Sequence, residues 1–286
     1  MYEKIERLVF DGYTFSILKT GSRAWNLVKK NWAVFLGFWI VYALMSFMSN
    51  ILPIVGLFIS YLVIAPAMAA GFAIFADRLI RHEESEFGLF FDGFKFLNQL
   101  IPYTLLSYLI VSLASIPMIL ALINAGAFDF FIKVLSVDAQ SIEEIGTDLV
   151  VFSTWDYILF LLSFLLIASI GILLWWTPYF IVFHKMGFWP AMQNSVKLVK
   201  RNFSLHFQLL LLGVGTGIAI SLLFVLLFSA LVMAVPIISM LLGLVFFVLL
   251  LLWISWLYLL PFMAFVEVIG TQESEEDENL ARHLIN

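Results

Sequence analysis

The one cluster of histidine and carboxylate side chains in the sequence is the segment His82–Glu86. Such groups bind zinc and activate water in metal-dependent hydrolases. The spacing differs from the His-Glu-x-x-His helix motif, so a metal site would need His184 or His206 brought in by the fold. The preferred interpretation is a solvated turn, and we expect no bound metal and no catalytic residue.

A glycine-rich stretch, Gly213–Gly217, superficially resembles a phosphate-binding loop. No strand precedes it and it lies inside a long apolar run, which excludes that function. Gly213 and Gly217 are four residues apart, a spacing that allows two membrane helices to pack closely. Ala67 and Gly71 repeat this spacing, so we predict helix packing at both places.

Other reactive groups are scarce. The chain has no cysteine, which excludes disulfides, thiol nucleophiles and cysteine-ligated metals. No Asp, Glu, Lys or Arg lies in residues 97–128, 157–183 or 207–266. Ion-coupled pumps usually keep such residues inside the bilayer, so we do not expect a pump. No cofactor is expected.

These uncharged runs predict membrane spans, because crossing a bilayer takes about 20 mostly apolar residues. The fold class predicted is an all-α integral membrane protein. Pro236 lies in the middle of the longest run and predicts a tight turn between two spans. The six predicted spans are 33–51, 54–76, 102–124, 157–183, 205–235 and 237–266.

The distribution of Lys and Arg predicts the orientation of these spans. With the N-terminus inside, Lys133 is the one exception among 15 basic residues that otherwise all fall on the cytoplasmic side. Lys133 belongs to the acidic segment 125–156. We therefore expect a protein of the cell inner (cytoplasmic) membrane with both termini in the cytoplasm.

The sequence also predicts an internal repeat. Leu27–Trp32 before the first span resembles Leu198–Phe203 before the fifth, and a weaker counterpart, Phe94–Asn98, precedes the third. Prolines recur in the same order, near the turns and inside the even-numbered spans. The interpretation is three helical hairpins, each preceded by an amphipathic interfacial helix. The prolines inside even spans are candidates for helix breaks that line a cavity: Pro66, Pro178 and Pro261.

The segments before spans one and five mix basic and aromatic residues, which is typical of a helix in the lipid headgroup layer. In the first, Trp25, Leu27, Val28 and Trp32 give a partial helical spacing of apolar residues. Ordinary positive flanks with an aromatic belt are the alternative interpretation. The candidates for lipid headgroup contact are Lys29, Lys30, Trp32, Lys197, Lys200 and Arg201.

The predicted domains are a cytoplasmic N-terminal segment with an interfacial helix (1–32), the membrane domain (33–268) and an acidic cytoplasmic tail (269–286). In the outer loop 125–156, Ser141 with Glu144 has the spacing of a capping box that starts a short amphipathic helix. Ser153 with Asp156 could cap the fourth span. The tail could contact a protein partner, membrane lipids are expected partners, and nucleic-acid binding has no support.

Several of these features resemble a known group: the basic amphipathic helices, Ala191-Met192 with Ser195 after the Gly187–Trp189 turn, the proline-containing even spans and the acidic tail. They resemble a broad family of uncharacterised six-span bacterial membrane proteins, similar to the membrane domain fused to some glycerophosphodiester phosphodiesterases. The resemblance covers about residues 20–270. It implies no catalytic residues, since the soluble phosphodiesterase domain is absent from this chain.

Three functional hypotheses follow. The leading one is a non-enzymatic inner-membrane protein that acts as a scaffold or accessory subunit in envelope or lipid homeostasis. The alternative is a carrier of lipids or other amphiphiles, without ion coupling through buried charges, which requires a central cavity lined by the proline-containing spans. The third is a membrane-interface hydrolase that uses the His82–Glu86 turn.

Overall fold

A computed structural model describes residues 1–136, 150–232 and 236–271, and every regular element in these ranges is helical. These elements include a π-helical turn, Ser60–Ile64, and a 3₁₀-helix, Phe87–Phe96. The α-helices are α1 (Tyr2–Asp11), α2 (Ile17–Lys30), α3 (Trp32–Ser49), α4 (Pro53–Ile59), α5 (Ala65–Ile80), α6 (Leu97–Ala114), α7 (Ile116–Asn124), α8 (Ala127–Ser136), α9 (Thr154–Leu174), α10 (Thr177–His184), α11 (Phe188–Arg201), α12 (Phe203–Val232) and α13 (Pro236–Val268).

The described residues contain six helical stretches that are long and apolar enough to cross a bilayer. The prediction of an all-helical chain with six spans is therefore confirmed. The predicted turn at Pro236 agrees with the start of α13 at that residue. The six stretches are Trp32–Ser49, Ile54–Ile80, Phe87–Ala114, Thr154–His184, Phe203–Ser229 and Leu241–Val268.

The third span differs most from its predicted bounds of 102–124. Its apolar helical stretch begins at Phe87, because the aromatic segment Phe87–Phe96 folds as a 3₁₀-helix that runs directly into α6. A break at Ser115 then separates α6 from α7, which begins with Ile116 and Pro117. Pro117 accounts for the break, because it has no N–H to donate to the carbonyl of Leu113 and its ring clashes with that carbonyl.

The chain divides into two compact units, one from the described residues of Met1–Thr104 and Ile172–Asn286 and the other from those of Leu105–Gly171. In the first unit, the ends of the spans that carry most of the Lys and Arg lie together. Lys4 Nζ donates to the carbonyl of Ile269 at 2.7 Å, and Arg23 lies 3.5 Å from Glu267. We call this end of the spans, which also carries Lys30 and Lys185, the basic end.

A shorter helix directly precedes α3, α6 and α12: it is α2, the 3₁₀-helix and α11 in turn, although the 3₁₀-helix is itself part of the third apolar stretch. This order is the one that the repeat predicts. The threefold repeat itself stays a prediction.

Glycine allows the 3₁₀-helix to cross α5 at backbone contact. A Cβ built on Gly71 would lie 1.8 Å from the carbonyl oxygen of Phe90, and a Cβ on Gly93 would lie 1.8 Å from that of Ala67. No side chain fits at either position. The predicted packing role of the Ala67–Gly71 spacing is thus explained by the 3₁₀-helix that lies across it.

The prolines of the even spans have different effects on their helices. Pro66 follows the π-helical turn Ser60–Ile64, and Pro178 follows a break at Trp175 and Trp176. Because proline lacks an N–H, it cannot complete the helical bond to the residue four positions earlier. Pro261 lies inside α13, which continues past it without a break.

In the second unit, polar side chains form hydrogen bonds with backbone groups at the ends of helices. The Ser153 hydroxyl accepts the Asp156 N–H at 3.3 Å, and the Asp156 carboxylate accepts the Ser153 N–H at 2.8 Å, which confirms the predicted cap of span four. Ser163 is fully buried and accepts the backbone N–H of Met118 at 2.9 Å. The predicted helix that follows Ser141 and Glu144 lies outside the described residues, as does the acidic tail beyond Thr271.

The glycine crossing gives a direct stability test. We expect Gly93→Ala to lower the free energy of unfolding by about 1–3 kcal/mol or more, because the new methyl group overlaps the Ala67 carbonyl. Gly88→Ala is the matched control, since Gly88 lies in the same 3₁₀-helix and a Cβ there meets open space. Thermal unfolding in detergent would measure both, and equal melting temperatures would contradict the crossing.

Candidate functional site at the basic end

The helix α2 turns a small-residue face toward the protein and its charges outward. Thr20, Gly21, Ala24 and Val28 are buried. The Trp256 indole N–H of α13 donates to the Gly21 carbonyl at 2.8 Å, so the helix is fixed to the last span.

The predicted headgroup candidates of this segment lie on the outer side. Lys29 and Lys30 at the end of α2 are exposed, and so is Trp32 at the start of α3. Trp25, which the sequence grouped with Val28 on one apolar face, is exposed while Val28 is buried. The apolar face that packs is therefore made of smaller residues than the one predicted.

The helix α11 has the same two-sided arrangement. Its buried side includes Ala191, Ser195 and Leu198. The remaining headgroup candidates, Lys197, Lys200 and Arg201, are exposed, and Arg201 also donates to the Phe10 carbonyl of α1 at 3.3 Å. Both basic helices are thus attached to the protein on one face and display their cations on the other.

Side chains of neighbouring helices hydrogen-bond to the backbone groups at the break in span four. The Ser195 hydroxyl donates to the Leu173 carbonyl at 2.7 Å and accepts the backbone N–H of Trp176 at 3.2 Å. The Tyr103 hydroxyl donates to the carbonyl of Leu174, which would otherwise pair with residue 178. The Trp176 indole N–H donates to the Pro261 carbonyl at 3.1 Å, which ties the break to the last span.

A buried tyrosine and histidine join the N-terminal segment to span five. Gly12, with φ of 81°, ends α1 and starts an extended stretch in which Tyr13 and Phe15 are buried while Thr14 is exposed. The Tyr13 hydroxyl lies 2.9 Å from both the Leu198 carbonyl and His206 Nε2. Burial raises the pKa of the Tyr13 phenol, so its proton stays in place as a donor.

The Tyr13 hydroxyl has a single proton, and where that proton is donated to the Leu198 carbonyl the histidine donates from Nε2. Its Nδ1 is then a buried acceptor that has no hydrogen-bond partner among the described residues. His206 also packs edge-on against Trp176 at 4.7 Å between ring centroids. We interpret this cluster as structural, because Tyr13, Trp176 and His206 are all buried and pack against one another.

The turn that contains His82 carries an ion-pair network instead of a metal site. Arg78 pairs with Glu83, and Arg81 pairs with both Asp77 and Glu83. His82 itself has a left-handed backbone, with φ of 58°. No group of three His, Asp or Glu side chains in the described ranges could hold a metal ion.

The other two histidines that could have joined His82 bond elsewhere. His184 Nε2 lies 3.1 Å from the Gly270 carbonyl, and His206 is paired with Tyr13. The structure therefore does not bring together the residues that the hydrolase hypothesis needs.

Three cavities of the first unit open at the basic end. One of about 360 Å³ is lined by charged residues that include Arg81 and Lys185. A second of about 480 Å³ lies beside Lys30 and His82. The third, about 770 Å³, is a groove between α1 and α11. Pro66, Pro178 and Pro261 line none of the three.

The residues that follow two of these prolines pack closely together. Tyr179 contacts Phe262 at 5.4 Å between ring centroids, and Phe180 contacts Phe265 at 5.2 Å. Pro261 itself is buried, and Pro66 and Pro178 are half-buried. Aromatic rings thus occupy the space between these segments of spans four and six.

Gly213 and Gly217 lie against the last span. A Cβ on Gly213 would lie 2.5 Å from Leu257 Cδ2, and one on Gly217 would lie 2.3 Å from the Trp253 ring. The indole N–H of Trp253 donates to the Thr216 hydroxyl at 3.2 Å. The two glycines therefore make room for large side chains of α13.

Comparison with known proteins identifies no family for this chain. No family model matches the sequence, and no curated protein and no solved structure is detectably similar to it. The chain is defined by its class, a multi-pass helical membrane protein. The resemblance to the membrane domain fused to phosphodiesterases stays a prediction.

The role of Gly217 can be tested against its neighbour Gly215. We expect Gly217→Ala to lower the free energy of unfolding by about 1–3 kcal/mol, since the methyl group displaces the Trp253 ring. Gly215→Ala has open space at its Cβ and should leave stability unchanged or slightly raised. Tryptophan fluorescence during thermal unfolding in detergent reports both effects. A Gly217→Ala protein as stable as Gly215→Ala would show that the two helices are not in contact there.

Proposed function

We propose that this chain is a non-enzymatic protein of the bacterial inner membrane that acts as a scaffold or accessory subunit in envelope or lipid homeostasis. The basic end faces the cytoplasm in this proposal, with both termini on that side. The observation that carries it is the pair of protein-bound helices, α2 and α11, which display Lys29, Lys30, Lys197, Lys200 and Arg201 at the same end of the spans.

Electrostatics supports the placement at the cytoplasmic leaflet. That leaflet is anionic, and each Lys or Arg near its surface contributes about 1 kcal/mol of attraction. The buried faces of α2 and α11 hold these cations on fixed helices. Fewer side-chain and backbone conformations are then lost when they contact lipid, so more of the attraction is retained.

The groove between α1 and α11 supports a protein partner. Phe10 is 84% exposed and Tyr2 is 61% exposed, and both line the groove. Large apolar side chains that stay exposed beside basic groups are typical of interaction surfaces. An accessory subunit would cover this groove with a segment that offers apolar and acidic side chains to Phe10, Lys197 and Arg201.

The carrier hypothesis has less support. A carrier needs space for an amphiphile between the proline-containing spans, and the ring contacts of Tyr179 with Phe262 and Phe180 with Phe265 fill that region in the first unit. The hydrolase hypothesis lacks an assembled set of reactive side chains among the described residues.

The orientation can be measured because the chain has no native cysteine. In intact cells, a membrane-impermeant maleimide should label Val151→Cys, which lies in the predicted outer loop. It should label Lys30→Cys only after the cells are opened. Both residues are exposed, so accessibility in the open cell serves as the control. Labelling of Lys30→Cys from outside would reverse the proposed topology.

The scaffold role predicts a partner that depends on the α1 groove. Purification in mild detergent should recover a partner protein with the wild-type chain, and Phe10→Ser should reduce that recovery at least about tenfold, as expected for an exposed aromatic anchor. Glu3→Ser is the control, since Glu3 is exposed on α1 and does not line the groove. A chain that purifies alone and without lipid would contradict the proposal.

A further inference from the structure

The charged cavity of about 360 Å³ at the basic end is the feature that the proposed function does not yet use. Its volume is at the lower end of the range for small-ligand sites, about 300–1,000 Å³. It lies between α5, the 3₁₀-helix and the end of α10. We call it the basic cleft.

Cations outnumber carboxylates in the lining of the basic cleft. Four cationic side chains line it, against two carboxylates: Arg78, Arg81, Lys95 and Lys185, with Asp77 and Asp92. Asp77 is paired with Arg81, and Asp92 with Lys95 at 2.7 Å. Arg78 and Arg81 also pair with Glu83, which is not part of the lining, so among the described residues Lys185 carries the positive charge that remains in excess.

Lys185 is the residue that supplies much of this excess. No carboxylate of the described residues lies within 4.0 Å of its ammonium group, and Lys185 is exposed while it lines the cleft. Its backbone is left-handed, with φ of 50°, at the end of α10 where glycine is usual. The Met186 N–H donates to the Phe180 carbonyl at 3.2 Å and holds this turn.

The cleft also has an apolar side. Ile74, Phe96, Val182 and Phe183 line it together with the charges. A fully soluble anion would gain nothing from these side chains, whereas a lipid phosphate with its glycerol and the first acyl carbons would contact both kinds of surface. Basic pockets between membrane helices on the cytoplasmic side are suited to anionic headgroups.

We infer that the basic cleft binds a phosphate-bearing anion, the headgroup of an anionic phospholipid, with Lys185 and Arg81 contacting the phosphate. The inference rests on the proposed function, because it requires the basic end to lie at a phospholipid leaflet. Lys185 is the binding residue to test, since Arg81 also stabilises the ion-pair network with Asp77 and Glu83.

The test uses the full-length chain in detergent, titrated with phosphatidylglycerol and observed by native mass spectrometry. Lys185→Ala should weaken phosphatidylglycerol binding about fivefold, the effect of one lost cation at a lipid surface. Lys185→Arg should restore it. Lys19→Ala is the matched control, because Lys19 is exposed on α2, is not one of the headgroup candidates and does not line the cleft.

The arms of the experiment distinguish the sources of the phosphate. Phosphatidylcholine should bind more weakly than phosphatidylglycerol, and inorganic phosphate should not compete at millimolar concentration. Competition by inorganic phosphate that is lost in Lys185→Ala would support the cleft with a soluble ligand. Equal weakening by Lys185→Ala and Lys19→Ala would overturn the inference, since it would reflect general surface charge.

Failure of this inference is separable from failure of the proposed function. If cysteine labelling places Lys30 in the cytoplasm and Lys185→Ala leaves lipid binding unchanged, the inference alone is wrong. If labelling places Lys30 outside, the proposed function is wrong as well, whatever the lipid measurement shows.

Discussion

Within a bilayer no water is available to pair a peptide group, so every backbone donor and acceptor of this chain needs a partner within the protein. The constraint is most visible where span four breaks before Pro178. The carbonyls of Leu173 and Leu174 lose their helical partners there and accept the hydroxyls of Ser195 and Tyr103 instead. Since Ser195 belongs to α11, the same bond that repairs the span also fixes a basic helix to it.

The other helices at the basic end are attached by equally close contacts. The Trp256 indole bonds to the carbonyl of Gly21 in α2, and the 3₁₀-helix meets α5 where Gly71 and Gly93 leave no side chain between the backbones. Each contact joins a short basic or aromatic segment to a span at a defined place. The cations of the basic end are therefore displayed from a packed framework, which distinguishes them from charges on loose flanks.

The sequence predicted the elements well and their packing poorly, for physical reasons. Uncharged runs and Pro236 located the spans, and the Ser153–Asp156 pair was recognisable because both partners are local. The buried face of α2 could not be recognised from the sequence, because hydrophobicity does not distinguish a face that packs on protein from one that contacts lipid. Small residues such as Gly21 mark the protein side, while Trp25 is exposed. Tyr13 and His206 are 193 residues apart, and no local pattern joins them.

The basic end has two kinds of cation: those balanced in ion pairs, and those that can still attract an anion. Arg81 is largely buried, at 14% side-chain exposure, and its charge is balanced by Asp77 and Glu83, so it mainly stabilises the turn after α5. Lys185 sits beside this network without a carboxylate of its own among the described residues. Buried pairs add little to the field outside the protein, whereas an unbalanced cation at a cleft mouth attracts anions. The cations of the basic end are thus divided in the fold into those held in ion pairs, such as Arg78 and Arg81, and exposed ones such as Lys30 and Lys185.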